Sequence, residues 1–215
     1  IRHGTHLMAD PSYIVDGVLT DPEAWVALNS FTVAGSADAS ITFTSGYNDA
    51  AADVGGVQAW DQYMDLVLIC YTQLYGASYG ANNAACGCKI NDGSTATTYT
   101  QTLTGDGSSA SANLETFTDG RFRWNDGSAD GTLATEVFSA SIVQFFDINS
   151  GKYKSVFAQN ANDFNGAGTV DIRAITWMEQ APISSLVLYS WSGSIDGWSI
   201  GTRFDLFGVL PRMVA

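Results

Sequence analysis

Tyr63-Met64-Asp65-Leu66-Val67-Leu68-Ile69-Cys70-Tyr71 decides the fold. Successive side chains of a strand point to opposite faces, so a run that is apolar at both sets of positions, broken only by Asp65, marks a strand at the centre of a sheet and covered on both sides. Ile183 to Trp191 has the same character. Ile41-Thr42-Phe43-Thr44 differs: apolar and hydroxyl residues take opposite faces, as in a strand packed on one side only and near a sheet edge.

Working outward from these, short apolar or alternating runs recur at 25–34, 39–45, 63–72, 86–91, 96–103, 110–117, 121–125, 136–146, 152–158, 169–177, 183–191 and 202–209. They are separated by Asn91-Asp92-Gly93, Asp119-Gly120, Asn125-Asp126-Gly127, Asp130-Gly131, Asn165-Gly166 and Asp196-Gly197, residues that tolerate positive φ in turns. Many short strands with little helix predict an all-β, antiparallel two-sheet sandwich, jelly-roll-like, with an extended N-terminal arm. Ala50 to Val54 is the one weakly helical stretch, and Ala77 to Ala85 and Gly105 to Ser111 read as exposed loops. With no repeat and no linker to split it, the chain is expected to form one sandwich domain over 39–215, preceded by an arm over 1–38 that Asp10-Pro11 and Asp21-Pro22 keep irregular. Met8 reads as a natural start, which leaves 1–7 as a tag, upstream coding sequence or the end of a longer segment.

Composition narrows the function. The chain has 215 residues, 46% of them hydrophobic and 14% charged, enough apolar material for a sizeable core. Nine Lys and Arg face 22 Asp and Glu, a formal charge of -13 that opposes both nucleic-acid phosphates and anionic membrane surfaces. No apolar run approaches the roughly 18 to 20 residues that span a bilayer, and no signal peptide is visible. Cys70, Cys86 and Cys88 are too few and odd in number for a disulfide framework, which fits synthesis in a reducing cytoplasm.

Working chemistry is sparse. The only histidines, His3 and His6, lie in the terminal segment, so no Ser/His/Asp or Cys/His arrangement can be assembled in the fold, and no phosphate-cradling glycine loop occurs. Glu115, Glu136, Glu179 and Asp147 are candidates for a glycosidase carboxylate pair, although turn contexts account for most acids. Cys86 and Cys88 share one strand face but are too closely spaced for a usual zinc pair, and Asp126 to Glu136 gathers acids without matching a calcium loop. Trp25, Trp60, Trp124, Trp177, Trp191 and Trp198 suit core or rim packing more readily than sugar stacking. No catalytic, cofactor-binding or metal-ligating residue is therefore assigned, and no cofactor is expected.

One resemblance is specific. Phe146-Asp147-Ile148-Asn149-Ser150-Gly151-Lys152-Tyr153-Lys154-Ser155, then Ile183-Ser184-Ser185-Leu186-Val187-Leu188, then Ile200-Gly201-Thr202-Arg203-Phe204-Asp205-Leu206-Phe207-Gly208-Val209 follow one another in order. Over roughly 39–210 this resembles a family of tailed-bacteriophage virion proteins that end in a G-S/T-x-F-x-L-Y-G-I strand preceded by a D-x-x-x-x-K-Y-K hairpin; Phe207 stands where the family has Tyr. Ile41 to Ser45 and Trp60-Asp61-Gln62-Tyr63 look like that family's opening strand and its W-x-x-Y lead-in to a central strand. The resemblance implies a non-enzymatic structural protein displayed on the virion, as capsid decoration, tail component or receptor-binding module, made in the bacterial host cytoplasm and in contact with other virion proteins. A carbohydrate- or receptor-binding module for host attachment is the alternative, and a polysaccharide depolymerase a more remote one. Gly201 and Gly208 bracket a strand whose Phe204 and Leu206 point one way into a core, and Lys152-Tyr153-Lys154 reads as a strand with one wet face. Only Lys89, Lys152 and Lys154 are available to guard sheet edges, so a homo-oligomer is expected, a dimer or trimer with apolar strand faces and Trp and Tyr residues in its interface.

Overall fold

The computed structural model describes residues 14–15, 18–19, 25–34, 39–46, 59–75, 85–92, 94–125, 129–130, 137–163, 168–191 and 197–210. Among them the chain is an antiparallel two-sheet β-sandwich. Its strands are β1 (Ile14–Val15), β2 (Val18–Leu19), β3 (Trp25–Thr32), β4 (Ser40–Thr44), β5 (Asp65–Tyr75), β6 (Cys86–Ile90), β7 (Thr98–Gly105), β8 (Ala110–Phe117), β9 (Arg121–Asn125), β10 (Ala129–Asp130), β11 (Ser139–Phe146), β12 (Lys154–Asp163), β13 (Gly168–Trp177), β14 (Ser185–Ser190), β15 (Gly197–Trp198) and β16 (Arg203–Val209). The main sheet runs β3-β16-β5-β11-β12-β13-β7-β8, with β10 and β15 added to the far end of β5; the smaller sheet runs β4-β14-β6-β9, and β1 pairs with β2 alone.

Between the sheets the alternation read from sequence becomes a core. Ile41 and Phe43 of β4, Leu186 and Leu188 of β14, Cys88 and Ile90 of β6 and Phe122 and Trp124 of β9 face Leu66, Leu68, Val143, Phe145, Phe204 and Leu206 of the main sheet, all buried. Each such side chain stabilises the fold by roughly 1.5–3 kcal/mol. Trp124 stacks near Trp198 (6.2 Å, 14°), and Trp198 meets Phe204 edge-on at 5.0 Å.

Several expectations change. Trp25–Thr32, placed by sequence in the arm, pairs with β16 along its length and buries Leu28, so the sandwich begins by Trp25 and not at 39. The rest of the 1–38 arm, apart from the backbone of β1 and β2 and residues 33–34, lies outside the described residues, as do Ala50 to Val54 and most of Ala77 to Ala85. Gly105 to Ser111 is no long loop. Gly105 and Ala110 are paired strand residues, and Asp106 closes the hairpin by accepting from the backbone N–H groups of Ser108 (2.8 Å) and Ser109 (2.6 Å) and from both hydroxyls, which holds its carboxyl well below the usual range. β5 is central but covered on both sides only in part: Tyr71 is 49% exposed on the outer face. β14 is covered on one side, with Val187 and Tyr189 half-buried outside.

The motifs behind the family resemblance meet at one junction. Asn149, in the β11–β12 hairpin, aims its amide at the carbonyls of Trp60 (2.9 Å), Tyr63 (2.9 Å) and Asp61 (3.2 Å). Asp65, buried at the start of β5, accepts from the backbone N–H of Asp147 at 2.8 Å. The Tyr63 ring lies flat on Gly208 of β16, where a Cβ would come within 2.4 Å of it. Lys154 is not on a wet face. It is fully buried, and its ammonium donates to the carbonyls of Ser150 (2.6 Å), Lys152 (2.6 Å) and Gln180 (3.3 Å). Burial lowers its pKa, against the pull of Asp147 and Glu179.

Gly208→Ala drives a methyl into the Tyr63 ring and is expected to lower stability by about 1–3 kcal/mol. Urea denaturation checks it, and in Tyr63→Leu, which removes the ring, the same glycine change should cost measurably less.

Candidate functional site

None of the candidate chemical groups assembles into a reactive centre among the described residues. Glu115 of β8 is buried and held by both arms of Arg123 of β9, whose Nε donates to its carboxylate at 3.1 Å. Asp147 is exposed at a hairpin turn with φ of 54°. Glu179 caps its own loop through the N–H of Gln180 at 2.8 Å. Glu136, the side chains of Asp126 to Glu136, His3 and His6 lie outside the described residues. Cys70, Cys86 and Cys88 are buried in the core and form no disulfide, and burial pushes Cys70 and Cys88 well above the ordinary thiol range. No group of three or more His, Cys, Asp or Glu is placed to hold a metal ion among the described residues.

The tryptophans are mostly core: Trp60, Trp124, Trp177 and Trp198 are at most 2% exposed. Trp191 is half-buried, but its ring is already occupied. It stacks with Tyr189 at 5.6 Å across Gly87, meets Phe117 at 4.6 Å, and has the guanidinium groups of Arg121 and Arg123 at 5.1 and 5.5 Å. The cluster seals the sheet edge instead of offering a stacking platform.

What stands out is the outer face of the main sheet. Among the described residues, seven of the eleven exposed large hydrophobic side chains lie there: Tyr71 on β5, Ile142 on β11, Val170 and Ile172 on β13, Tyr99 and Leu103 on β7 and Leu114 on β8. The register lines them up in cross-strand rows. One row reads Ile69, Ile142, Gln159, Ile172, Leu103, Ala112, and the next Val67, Gln144, Phe157, Ala174, Gln101, Leu114. Short of Asp163, the last residue of β12, the outward positions from β11 to β8 carry no charged residue, on a chain whose net charge is -13. A recess of about 520 Å³ opens in this face, lined by Ile69, Ala140, Ile142, Ala161, Val170 and Ile172 among others.

On this half of the sheet the usual polarity is inverted. The inward side of β13, β7 and β8 carries Asp171, Arg173, Thr100, Thr102 and Glu115, all buried. Asp171 is fully buried, with Thr104 Oγ1 donating at 2.6 Å and Asn160 Nδ2 at 3.3 Å, and it forms an ion pair with the Arg173 guanidinium at 3.8 Å; Ser141 in turn donates to Asn160 at 2.7 Å. Arg173 also donates to the Arg123 carbonyl at 3.2 Å, tying β13 to β9 of the smaller sheet. Buried carboxylates and guanidinium groups are tolerated only when paired and hydrogen-bonded; Asp171 is both, and Arg173 has its ion pair and the Arg123 carbonyl, with Nε and Nη2 buried and outside any hydrogen bond. The chain's own core therefore does not account for Ile172 and Leu103 being outside. An exposed apolar patch of this size marks a contact surface.

Sequence reasoning missed this face because alternation reports two faces without saying which is inside. The usable signal was Val170-Asp171-Ile172-Arg173 beside Thr100-Gln101-Thr102-Leu103, where charged or hydroxyl residues alternate with apolar ones in adjacent strands. No family model, curated protein or solved structure matches the chain.

Asp171→Ala leaves Arg173 charged in a dry interior and is expected to cost about 3–5 kcal/mol, whereas replacing the pair together, Asp171→Leu with Arg173→Met, should cost less than the single change. Chemical denaturation of both variants checks this; a single variant as stable as the parent would remove the ion pair from the account of the fold.

Proposed function

We propose that the chain is a non-enzymatic structural protein of a tailed-phage virion, displayed on the particle surface as a capsid decoration protein or tail component. The observation that carries the reading is the row of exposed apolar residues on the outer face of the main sheet, a surface suited to contact with protein over an area no small ligand requires. The resemblance of the motif order over 39–210 to virion proteins is what suggests a virion as the setting, and those motifs meet at a junction that fixes strand positions. The buried thiols, joined in no disulfide, are compatible with synthesis in a reducing host cytoplasm. Attachment to a host glycan is the competing role, and the occupied ring of Trp191 lends it little.

Quantitative mass spectrometry of purified particles, with gold-labelled antibody in electron microscopy, tests the reading. Many copies per particle at a fixed site on head or tail are expected. Absence from purified particles overturns it, and binding of the displayed protein to host polysaccharide on a multivalent array replaces it with the attachment role.

A further inference from the structure

We propose that two copies of the chain pack face to face through the outer side of the main sheet, from β5 to β8, as a two-fold dimer. This rests on the reading of that face as a protein contact and is independent of the virion assignment.

Charge selects the occupant. Each copy carries -13, so copies repel at long range and any carboxylate on a shared surface would meet its own like across the axis. The outward positions of β11, β13, β7 and β8, and those of β12 as far as Ala161, hold none, Asp163 coming only at the end of β12, and the interior of the same strands has taken in Asp171 and Glu115. A basic partner would be met by acids on this face; a second copy is met best by what is there, aliphatic side chains with Gln101, Gln144 and Gln159 between them.

Area and shape agree. Six strands about 4.8 Å apart, each contributing about seven residues at about 3.4 Å, outline roughly 700 Å². A stable interface of standard size buries about 800 Å² on each partner. Leu103 and Leu114 are 54% and 55% exposed, while Ala140 and Ala161 lie in the recess. A two-fold axis running between β12 and β13 lays β7 of one copy over β11 of the other and β8 over β5. Leu103, in the same row as Ile172 and Gln159, then enters the recess of the second copy, and the reverse contact forms by symmetry. Two sheets meeting in this way sit about 10 Å apart, as within a sandwich.

Light scattering behind size-exclusion chromatography of the full chain at tens of micromolar tests this. Twice the chain mass is expected, and Ile142→Lys with Ile172→Lys should give a single chain mass with an unchanged circular dichroism spectrum, since both side chains are exposed in one copy. Val187→Lys, on the outer side of the smaller sheet, should remain a dimer. An independent measurement uses Ile172→Cys with a short bis-maleimide: the native thiols are buried, so a cross-linked dimer reports the new cysteine near the axis, and a reactive but uncross-linked cysteine overturns the proposal. A parent chain that is monomeric at high micromolar concentration, or a double lysine variant that keeps the dimer mass, also overturns it. If the parent is monomeric and the lysine variant is lost from particles, the dimer fails and the contact reading stands; if that variant also joins particles normally, both fail.

Discussion

The side-chain amide of Asn149 reaches three backbone carbonyls of residues 60–63, and the rest of the sandwich depends on what that contact fixes. Together with the Asp65 carboxylate on the Asp147 N–H, it locks the β11–β12 hairpin to the start of β5 and so sets how far each strand is advanced along its neighbour. A slip of one residue sends every side chain to the opposite face. In most sheets the hydrophobic pattern resists that slip. Here it does not, because on β13 and β7 a slipped register would bury Ile172 and Leu103 and expose Asp171 and Thr102. The native arrangement is held against the pattern by directional contacts: the Asn149 junction, the Tyr63 ring on Gly208, and the ion pairs that make sense only inside.

This explains which parts of the structure sequence discloses. All twelve strand candidates correspond to strands, with bounds shifted by a few residues, because local alternation and turn chemistry are short-range properties. Asn91, with φ of 49°, sits in one of the turns that Asn and Gly punctuate. The one-sided packing of Ile41 and Phe43 is equally local, and β4 is an edge strand of the smaller sheet. Lys154 defeats the same logic. A lysine beside Tyr153 suggests a wet strand, and only the two loops that fold back over it, bringing the carbonyls of Ser150, Lys152 and Gln180, make burial tolerable. Trp25–Thr32 likewise became a sheet strand because β16, far away in sequence, presents it with a partner.

The candidate site was legible only in its ingredients. Tyr71 and Ile69 looked like residues of a strand covered on both faces, and they are apolar on both faces because one side meets the core and the other belongs to the exposed surface. Glu115 and Asp147 looked available as acids, yet the first is consumed by Arg123 and the second lies in a positive-φ turn. These differences come from contacts across the sandwich, which composition and spacing do not encode.

The inverted half of the sheet also has an energetic consequence. Burying paired charges contributes little net stability compared with burying apolar side chains of similar volume. The region of β13, β7 and β8 therefore gains less from the core than the Leu66, Phe145 and Phe204 region does. Its main store of unburied apolar surface lies on the outside, in Ile172, Leu103 and Leu114. Whatever covers that face binds the native arrangement and not the slipped or unfolded one, so it adds its binding free energy to the stability of this half. Assembly and register are thus linked: the arrangement that buries Asp171 and Arg173 presents the apolar rows, and covering those rows favours the arrangement that buries Asp171 and Arg173.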